Sequence, residues 1–564
     1  MTESGFDFSH YYTYQEIVDF LNQMREKNPH LIDLKVIGKS YGGLDIFLAT
    51  LTNQNTGEAL EKPGYWIDAN IHAGEVTGSA VALYTIYYLL NNYNTEPRIT
   101  HLLDNFTIYI LPRIAVDGAE KYLTTPDILR SSIRHYPYPE ERDGLHSEDI
   151  NGDGLILQMR LKDNCGAWKI SSEDPRIMIP REPDEFGDTY YTILPEGTIK
   201  NYDGYDIKVA PKKEGIDFNR NYPFEWRPEG KQIGAGDFPF SEPETLAVAE
   251  FWREHPNING FINYHTFSAV FLRPYCAYSD EHFPIKDLDI YKLIGEKGTE
   301  ITGYECISIY HNFSYPNGDK ISGGMLDYCY DRFGWFGFSI ELWDAPTAAG
   351  VKKGGYIEWL RRHPVADDLK MMEWNDEKLG GKGFVDWQPF EHPQLGTVEI
   401  GGWKDKEVWQ NPPVDYLPKL CEEQCQFAIT HALMSPRLAV SQTVVEHQGG
   451  DLYRLVVQLE NQGFLPTYTS EKALSQKSVK PIEVILDLPD GVMLVSGKQK
   501  QEIEHLQGRS STAFSSFHWF PQHGNYRCHL EWVVKGVAGC KVEVAAKAER
   551  AGLVRAVISL MDNG

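Results

Sequence analysis

Hydrophobic positions follow two different spacings over the first three quarters of the chain. From residue 13 to residue 27 they recur every three to four residues after a Thr-x-x-Glu capping box, which predicts an amphipathic helix. VTGSAVALYTIYYLL and SEPETLAVAEFWREH have the same helical spacing. Around them lie runs that are apolar at nearly every position, as in strands covered on both faces: LDIFLATL, YWIDANI, FTIYILP, INGFINY and FGFSIEL. Strands that alternate with helices predict an α/β fold, a three-layer sandwich around a mixed, mainly parallel sheet.

This pattern changes at two places along the chain. Between about residues 143 and 215 the periodicity fails and Pro, Gly, Asp and Glu accumulate, which indicates a functional insertion rather than a simple connection. After residue 435 the segments LYRLVVQLEN, PIEVILDLPDGVMLVSG, YRCHLEWVVKG and CKVEVAAKAE alternate like strands joined by turns. We therefore predict a catalytic domain over residues 1–435, which includes the insertion, and an accessory β-sandwich over residues 436–564.

Composition narrows the classes of partner. The 564 residues include 54 basic and 80 acidic side chains, a formal net charge of −26, so the molecule repels phosphate backbones and anionic lipid surfaces. We expect neither nucleic acid nor a membrane as a partner. A hydrophobic fraction of 42% excludes a disordered chain.

The cysteines and the N-terminus bear on location. Eight cysteines are scattered without a CxxC pair, which is typical of thiols in a reducing compartment. The first residues, MTESGFDFSHYYTYQEI, lack the basic and apolar regions of a secretory signal, and no run of 18 or more apolar residues occurs. These features predict a cytoplasmic protein.

Three predicted strands carry reactive side chains at their ends. His72 and Glu75 follow YWIDANI, and His265 ends the run INGFINYH. In open α/β sheets, ligands bind beyond the carboxyl ends of the strands, so these groups are expected to converge. Two imidazoles and one carboxylate, with a fourth position open, are the ligand set of a catalytic zinc. A further carboxylate, Glu341 in the run FGFSIE, suits the proton transfers of a zinc-dependent hydrolysis.

A polar loop offers a different chemistry. In GIDFNRN, Asn219 and Arg220 are adjacent. An Arg guanidinium binds a carboxylate through two parallel hydrogen bonds and an Asn amide adds a neutral donor, so the pair suits a free α-carboxylate.

Together these segments resemble the zinc carboxypeptidases of the carboxypeptidase A type. The resemblance extends through HAGE, PRIAVDG, LRSSIR, DFNRN, NYHTF and SGGMLDYCYDRFGWFGFSIELWD, in family order, over most of residues 10–345. It implies one Zn²⁺ held by His72, Glu75 and His265, and Glu341 as general acid/base.

The same resemblance implies how a substrate binds. Asn219 and Arg220 would hold the terminal carboxylate of a peptide, and an arginine of LRSSIR would stabilise the oxyanion. Spacing does not separate the two arginines of that segment. We take Arg130 as the catalytic one and keep Arg134 as a rival and substrate-binding candidate.

The chain also departs from the family pattern. Asp319 and Lys320 precede the SGG turn where the family has a substrate-capping tyrosine, which leaves Tyr310 and Tyr315 as candidates for that role. Leu326 corresponds to the floor of the specificity pocket. Because its side chain is apolar, we expect an uncharged or hydrophobic C-terminal residue in the substrate.

Two other motifs have simpler explanations. GKSYG, residues 38–42, matches the GxSxG of serine hydrolases but precedes a strand rather than a helix, which favours a hairpin turn. Asp149, Asn151 and Asp153 begin like a calcium loop, yet position 12 is Arg160 instead of Glu. We favour a polar turn there and keep Ca²⁺ as a less favoured alternative.

The sequence therefore predicts a zinc metallocarboxypeptidase that acts on peptides with a free C-terminal carboxylate. Two alternatives remain open. One is a zinc amidohydrolase acting on cell-wall peptides or amino-acid conjugates, and the other is a non-catalytic scaffold.

Overall fold

The computed structural model describes residues 6–313, 319–511 and 525–561. The strands up to the last of the central sheet are β1 (Ile32–Lys39), β2 (Asp45–Leu51), β3 (Gly64–Ala69), β4 (Thr107–Leu111), β5 (Gly144–Ser147), β6 (Gln158–Lys162), β7 (Trp168–Ile170), β8 (Met178–Pro180), β9 (Tyr191–Pro195), β10 (Gly197–Lys200), β11 (Ile258–Thr266), β12 (Val270–Arg273), β13 (Glu305–Ser308) and β14 (Phe336–Leu342). They are followed by β15 (Phe384–His392), β16 (Gly396–Trp403), β17 (Leu438–Gly449), β18 (Leu452–Asn461), β19 (Ile482–Asp487), β20 (Met493–Ser496), β21 (Lys500–Ile503), β22 (Arg527–Lys535), β23 (Lys541–Ala548) and β24 (Gly552–Ser559).

The α-helices connect these strands. They are α1 (Tyr14–Lys27), α2 (Val76–Asn92), α3 (Pro97–Asn105), α4 (Val116–Thr124), α5 (Pro243–Glu254), α6 (Ile285–Thr302), α7 (Ile309–Asn312), α8 (Met325–Phe333), α9 (Ala345–Ala348), α10 (Tyr356–Arg361), α11 (Val365–Lys378), α12 (Asp405–Val408), α13 (Leu417–Ala432) and α14 (Glu471–Ser475). The described helices include none with the length and apolar character that a membrane span requires.

The central sheet has eight strands in the order β1-β2-β4-β3-β11-β14-β12-β13. Its middle strands β4, β3, β11 and β14 are parallel, while β1, β2 and β12 add antiparallel pairings. Every residue of β3, β4 and β11 is buried, because both faces of the sheet are covered. The predicted α/β class with a mixed, mainly parallel sheet is confirmed.

Helices cover the two faces of this sheet. On one face the apolar side chains of α1, α2, α3, α6 and α13 form a single core with alternate strand residues such as Ile262. On the other face α5 and α8 pack against Phe261 and the neighbouring strands. Because successive strand residues point to opposite faces, Phe261 and Ile262 contribute to different cores, which gives the three layers.

The segment from about residue 143 to 215 contains strands that the sequence pattern does not predict. Strands β6 to β9 join the later hairpin β15–β16 in a six-stranded sheet of order β15-β16-β6-β9-β7-β8. Glu399 pairs with Arg160 both across the strands and through a 2.9 Å ion pair. The sequence periodicity fails here because these strands are only three to five residues long, and β6 pairs with the distant β16.

The C-terminal strands form two four-stranded sheets, β17-β18-β22-β20 and β21-β19-β23-β24. Their inner faces share one apolar core that includes Leu455, Val484 and Trp532. This is the predicted β domain. This domain contacts the N-terminal end of β11, where Asn259 Nδ2 donates to the carbonyl of Arg550 at 2.8 Å.

Candidate functional site

Three predicted metal ligands meet at the carboxyl ends of two neighbouring strands. His72 and Glu75 lie between β3 and α2, and His265 is the penultimate residue of β11. Since β3 and β11 are parallel and adjacent, their ends share one edge of the sheet. All three side chains are buried.

The ligand atoms of these residues face one another. Glu75 Oε1 lies 2.9 Å from His72 Nδ1, and Glu75 Oε2 lies 3.0 Å from His265 Nδ1. The two Nδ1 atoms are 3.2 Å apart. Two nitrogens bound tetrahedrally to one zinc stand about 3.3 Å apart, so the donor set fits that metal. Of the residues that the structure describes, only these three bring His, Cys, Asp or Glu ligand atoms within 4.8 Å of one another as a group of three.

Electrostatics favour the ionised form of Glu75. Burial opposes ionisation, but the neighbouring rings of His72 and His265 outweigh it and bring the pKa of Glu75 below its ordinary value. For His265 the neutral form is favoured instead, since burial lowers the pKa of its imidazole. A neutral imidazole and an ionised carboxylate are the forms that bind a metal ion.

Asp217 holds His72 from the side away from the cluster. His72 Nε2 donates to Asp217 Oδ1 at 3.1 Å, which leaves Nδ1 free as a ligand. Burial opposes the charge on Asp217, but Arg130 and Arg220 keep the pKa of this carboxyl well below its ordinary value. Sequence reasoning assigned no role to Asp217, although it begins the segment DFNRN. Its contact with His72 is what suggests a role in orienting that ring.

Glu341 lies beside the cluster on the next strand. In the parallel pairing of β11 with β14, Glu341 stands opposite His265. Its side chain is half-buried, and burial together with the charge of Glu75 raises the pKa of Glu341 well above its ordinary value. A carboxyl group with a raised pKa next to a metal site is suited to accept and return a proton.

The two candidate arginines have different surroundings. Arg130 Nε donates to Asp217 Oδ2 at 2.8 Å and its Nη1 lies 3.8 Å from Glu75 Oε1, so its guanidinium borders the cluster. Arg134 instead pairs with Glu242 at 2.7 Å and with Asp237 at 3.3 Å. The geometry brings Arg130 to the metal residues, whereas the described contacts of Arg134 hold it to carboxylates outside them.

This difference gives a paired prediction. Arg130→Ala is expected to lower kcat for peptide hydrolysis by about 100-fold or more, the usual loss when an oxyanion donor is removed. Arg134→Ala is the matched control and is expected to lower thermal stability while kcat stays within about threefold, because its guanidinium contacts Glu242 and Asp237. Steady-state kinetics and thermal unfolding of both variants check this. A larger loss of kcat in Arg134→Ala would reverse the assignment.

Asn219 and Arg220 lie on one short turn next to Asp217. Asn219 Oδ1 accepts from the backbone N–H of Met325 at 2.8 Å, which leaves the amide NH₂ group as a donor. Arg220 Nη1 donates to the carbonyl of Asn219 at 2.8 Å and stands 4.0 Å from Asp217 Oδ2. The turn therefore places an amide donor and a guanidinium close to Asp217, which itself contacts His72.

The predicted specificity residue is part of the apolar core near this turn. Leu326 is 2% exposed and clusters with Cys276 and Met325.

One of the two candidates for the missing capping tyrosine contacts a lysine. Lys320 Nζ stands 3.3 Å from the ring centre of Tyr310. Tyr315, the other candidate for the missing capping tyrosine, lies outside the described residues.

An aromatic cluster that sequence reasoning missed includes a ring close in sequence to His265. Phe267, two positions after His265, has its ring centre 6.1 Å from that of Tyr356 and 6.5 Å from that of Trp409. Phe313 stacks on Tyr356 at 6.2 Å. These rings come from four distant segments, so no local pattern could bring them together.

The remaining motifs lie in turns. Ser40 is in the turn that joins β1 to the antiparallel β2, and its hydroxyl donates to Asp117 at 2.7 Å, which confirms the hairpin. In the acidic loop, the side chain of Asp149 accepts from the backbone N–H groups of Gly152, Asp153 and Gly154. This is the hydrogen bonding of a polar turn.

Fold and site together define a class. An α/β sandwich with a His-Glu-His cluster at its strand ends has the donor set of a single catalytic metal, and Glu341 adds a carboxylate beside it. The chain belongs to the zinc carboxypeptidase family, whose model matches residues 17–357, more than half of its length. A second model, described only as a domain of unknown function, matches residues 437–559.

Known relatives are distant in sequence. Carboxypeptidase A6 of Mus musculus is 22% identical over 355 residues, an alignment that covers 60% of this chain and 62% of that protein. Carboxypeptidase A1 of Sus scrofa is also 22% identical over 355 residues, covering 61% and 65%. The chain thus spans less than two thirds of the length of these relatives. A crystal structure of thrombin activatable fibrinolysis inhibitor matches with 19% identity and a TM-score of 0.45, covering 75% of this chain and 74% of that one.

Proposed function

We propose that this protein is a zinc metallocarboxypeptidase that hydrolyses the C-terminal peptide bond of peptides. The observation that carries the proposal is that two histidines and a glutamate with converging ligand atoms, a further carboxylate and a guanidinium meet at one edge of the sheet. His72, Glu75 and His265 would hold the zinc through Nδ1, Oε and Nδ1 atoms. Zinc bound there would polarise a carbonyl oxygen and lower the pKa of water to about 7.

The residues of the chain would perform the proton transfers. Glu341 stands opposite His265 and, with its raised pKa, can accept a proton from the attacking water and pass it to the leaving amine. Arg130 stays fully charged and borders the cluster, so it can stabilise the negative charge that develops on the scissile carbonyl oxygen.

Substrate orientation would come from the turn next to Asp217. The amide NH₂ of Asn219 and the guanidinium of Arg220 are suited to a terminal carboxylate. Such a clamp fixes the distance from the C-terminus to the cleaved bond, as an exopeptidase requires. The expected preference for an uncharged or hydrophobic C-terminal side chain rests on the apolar character of Leu326, which is buried near this turn.

Two alternatives make different predictions about metal and substrate. A zinc amidohydrolase acting on cell-wall peptides or amino-acid conjugates would use the same triad but would not need a peptide with a free carboxylate. A non-catalytic scaffold would not need Glu341 next to the triad. The position of Glu341 beside the three predicted metal ligands supports an enzyme. As part of the proposal we place the protein in the cytoplasm, where its eight free thiols are stable.

The test is incubation of the zinc-loaded protein with peptides of different C-terminal residues, read by mass spectrometry. We expect loss of single residues from the C-terminus, faster for Leu or Phe than for Lys or Arg. Fastest removal of basic residues would contradict the assigned preference. Internal cleavage would contradict exopeptidase action, and bound zinc without any peptide cleavage would favour the conjugate hydrolase. A protein that binds no zinc would favour the scaffold.

A further inference from the structure

A layer of buried polar side chains lies in the central sheet next to the three predicted metal ligands. Asn263 is two residues before His265 on β11, so the two side chains point to the same face of the sheet. Asp68 on β3 is the direct cross-strand partner of Asn263. Both side chains are fully buried, as is Trp66 on the same strand. An amide and a carboxylate in such a place are costly unless each is hydrogen-bonded.

The hydrogen bonds of this layer run in one direction toward Asp68. His265 Nε2 contacts Asn263 Oδ1, and Asn263 Nδ2 donates to Asp68 Oδ1. The indole of Trp66 donates to the other oxygen, Asp68 Oδ2, at 2.6 Å. An indole N–H can only donate, so Asp68 Oδ2 accepts from Trp66, and the Asn263 amide turns its Nδ2 group toward the other oxygen, Oδ1. The carbonyl end of that amide must then face His265.

This order has a consequence for the metal ligand. A carbonyl oxygen facing Nε2 requires the imidazole of His265 to carry its proton there. The lone pair is then on Nδ1, the atom that faces Glu75 and His72. His72 reaches the same state through a carboxylate in direct contact, Asp217. Each ligating ring therefore has a buried carboxylate behind it, one direct and one through an amide.

We propose that Asp68 and Asn263 are positioning residues for the metal, which fix the tautomer and the ring orientation of His265. The inference rests on the proposed zinc site. Partners behind a ligating histidine are typically worth about 10- to 100-fold in metal affinity. Asp68 and Asn263 contribute that factor for His265, as Asp217 does for His72.

The first experiment replaces Asp68 with Asn in the full-length protein. The new amide offers one carbonyl oxygen to two donors, the indole of Trp66 and the amide of Asn263. If Asn263 rotates to relieve this mismatch, its NH₂ group faces the N–H of His265. We expect zinc affinity, measured by competition with a chelator, to fall about 10- to 100-fold. The absorption spectrum of the Co²⁺-substituted protein is expected to shift as the His265 ligand changes.

The second experiment tests rescue by exchanging the two residues, Asp68→Asn together with Asn263→Asp. In the exchanged pair the indole of Trp66 donates to the amide oxygen at position 68. The amide NH₂ at that position donates to the carboxylate at 263, whose other oxygen accepts from His265. Every donor again has an acceptor. We expect zinc affinity within about threefold of the wild type.

The matched control is Asn259→Ala, a buried asparagine at the other end of the same strand. Its amide donates to the carbonyl of Arg550 and its oxygen accepts from Thr469. Its loss is expected to lower the unfolding temperature while zinc affinity stays unchanged. A purely structural role for Asp68 would make Asp68→Asn behave like this control.

The outcomes separate the inference from the proposed function. Wild-type protein that binds no zinc would contradict the proposed function itself. Wild-type protein that binds zinc as tightly as Asp68→Asn would overturn the positioning role alone. If Asp68→Asn does not fold, the exchanged protein decides: near-wild-type zinc affinity supports the role, and a folded exchange variant that binds zinc more than tenfold weaker overturns it.

Discussion

Glu341→Gln is expected to lower kcat for peptide hydrolysis by about 100-fold or more while zinc remains bound. The amide has nearly the shape of the carboxyl group but accepts no proton at neutral pH. Glu341 belongs to the strand beside His265 and is not one of the three ligand residues, so the metal should be retained at one ion per chain. Steady-state kinetics of the zinc-loaded protein test the loss of kcat, and metal analysis of the same samples tests the retention of zinc.

Glu244→Gln provides the control for this substitution. Glu244 is another glutamate whose pKa burial raises, to about 7, but it contacts the backbone of Tyr41 in the turn between β1 and β2. Its replacement is expected to leave kcat within about threefold. If Glu341→Gln retained wild-type kcat, the assignment of the proton acceptor would be wrong.

His72→Ala is expected to have the second large effect, the loss of both bound zinc and hydrolysis. Two remaining ligands, Glu75 and His265, cannot complete the three-ligand set of a catalytic zinc. Because a metal that binds only the folded state stabilises it, zinc at about 1,000 times its dissociation constant adds about 4 kcal/mol. A chelator should therefore lower the unfolding temperature of the wild-type protein and leave that of His72→Ala unchanged.

The control for this variant is His431→Gln. His431 is likewise buried, but its Nδ1 lies 2.6 Å from the hydroxyl of Tyr65 in the core between β3 and α13. This variant is expected to be less stable and still to respond to the chelator. An unfolding temperature of wild-type protein that does not depend on the chelator would mean that the triad holds no stabilising metal.

Sequence patterns predicted the central fold because its signals are local. Buried parallel strands such as β3 and β11 are apolar throughout, and each presents its reactive residue where the strand ends. The convergence of His72 and His265 follows from that topology. The adjacent residues Asn219 and Arg220 could also be recognised, since they are neighbours in the chain.

Other parts of the site depend on contacts between distant segments. The role of Asp217 follows only from its bond to His72, 145 positions away in the sequence. Likewise Asp68 and Asn263 become partners only when β3 and β11 pair. The choice between Arg130 and Arg134 required their carboxylate partners, and the sheet formed by β6 and β16 required a pairing across more than 200 residues.

The central claim is that a free C-terminal carboxylate directs hydrolysis at this site. The most direct test compares two peptides of the same sequence ending in Leu, one with a free C-terminus and one amidated, using wild-type protein and Arg220→Ala. We predict that wild-type protein removes Leu only from the free peptide, and that Arg220→Ala raises KM for that peptide by about tenfold or more, as expected when a charged hydrogen-bond partner is lost. Equal cleavage of the free and amidated peptides by wild-type protein would contradict the account.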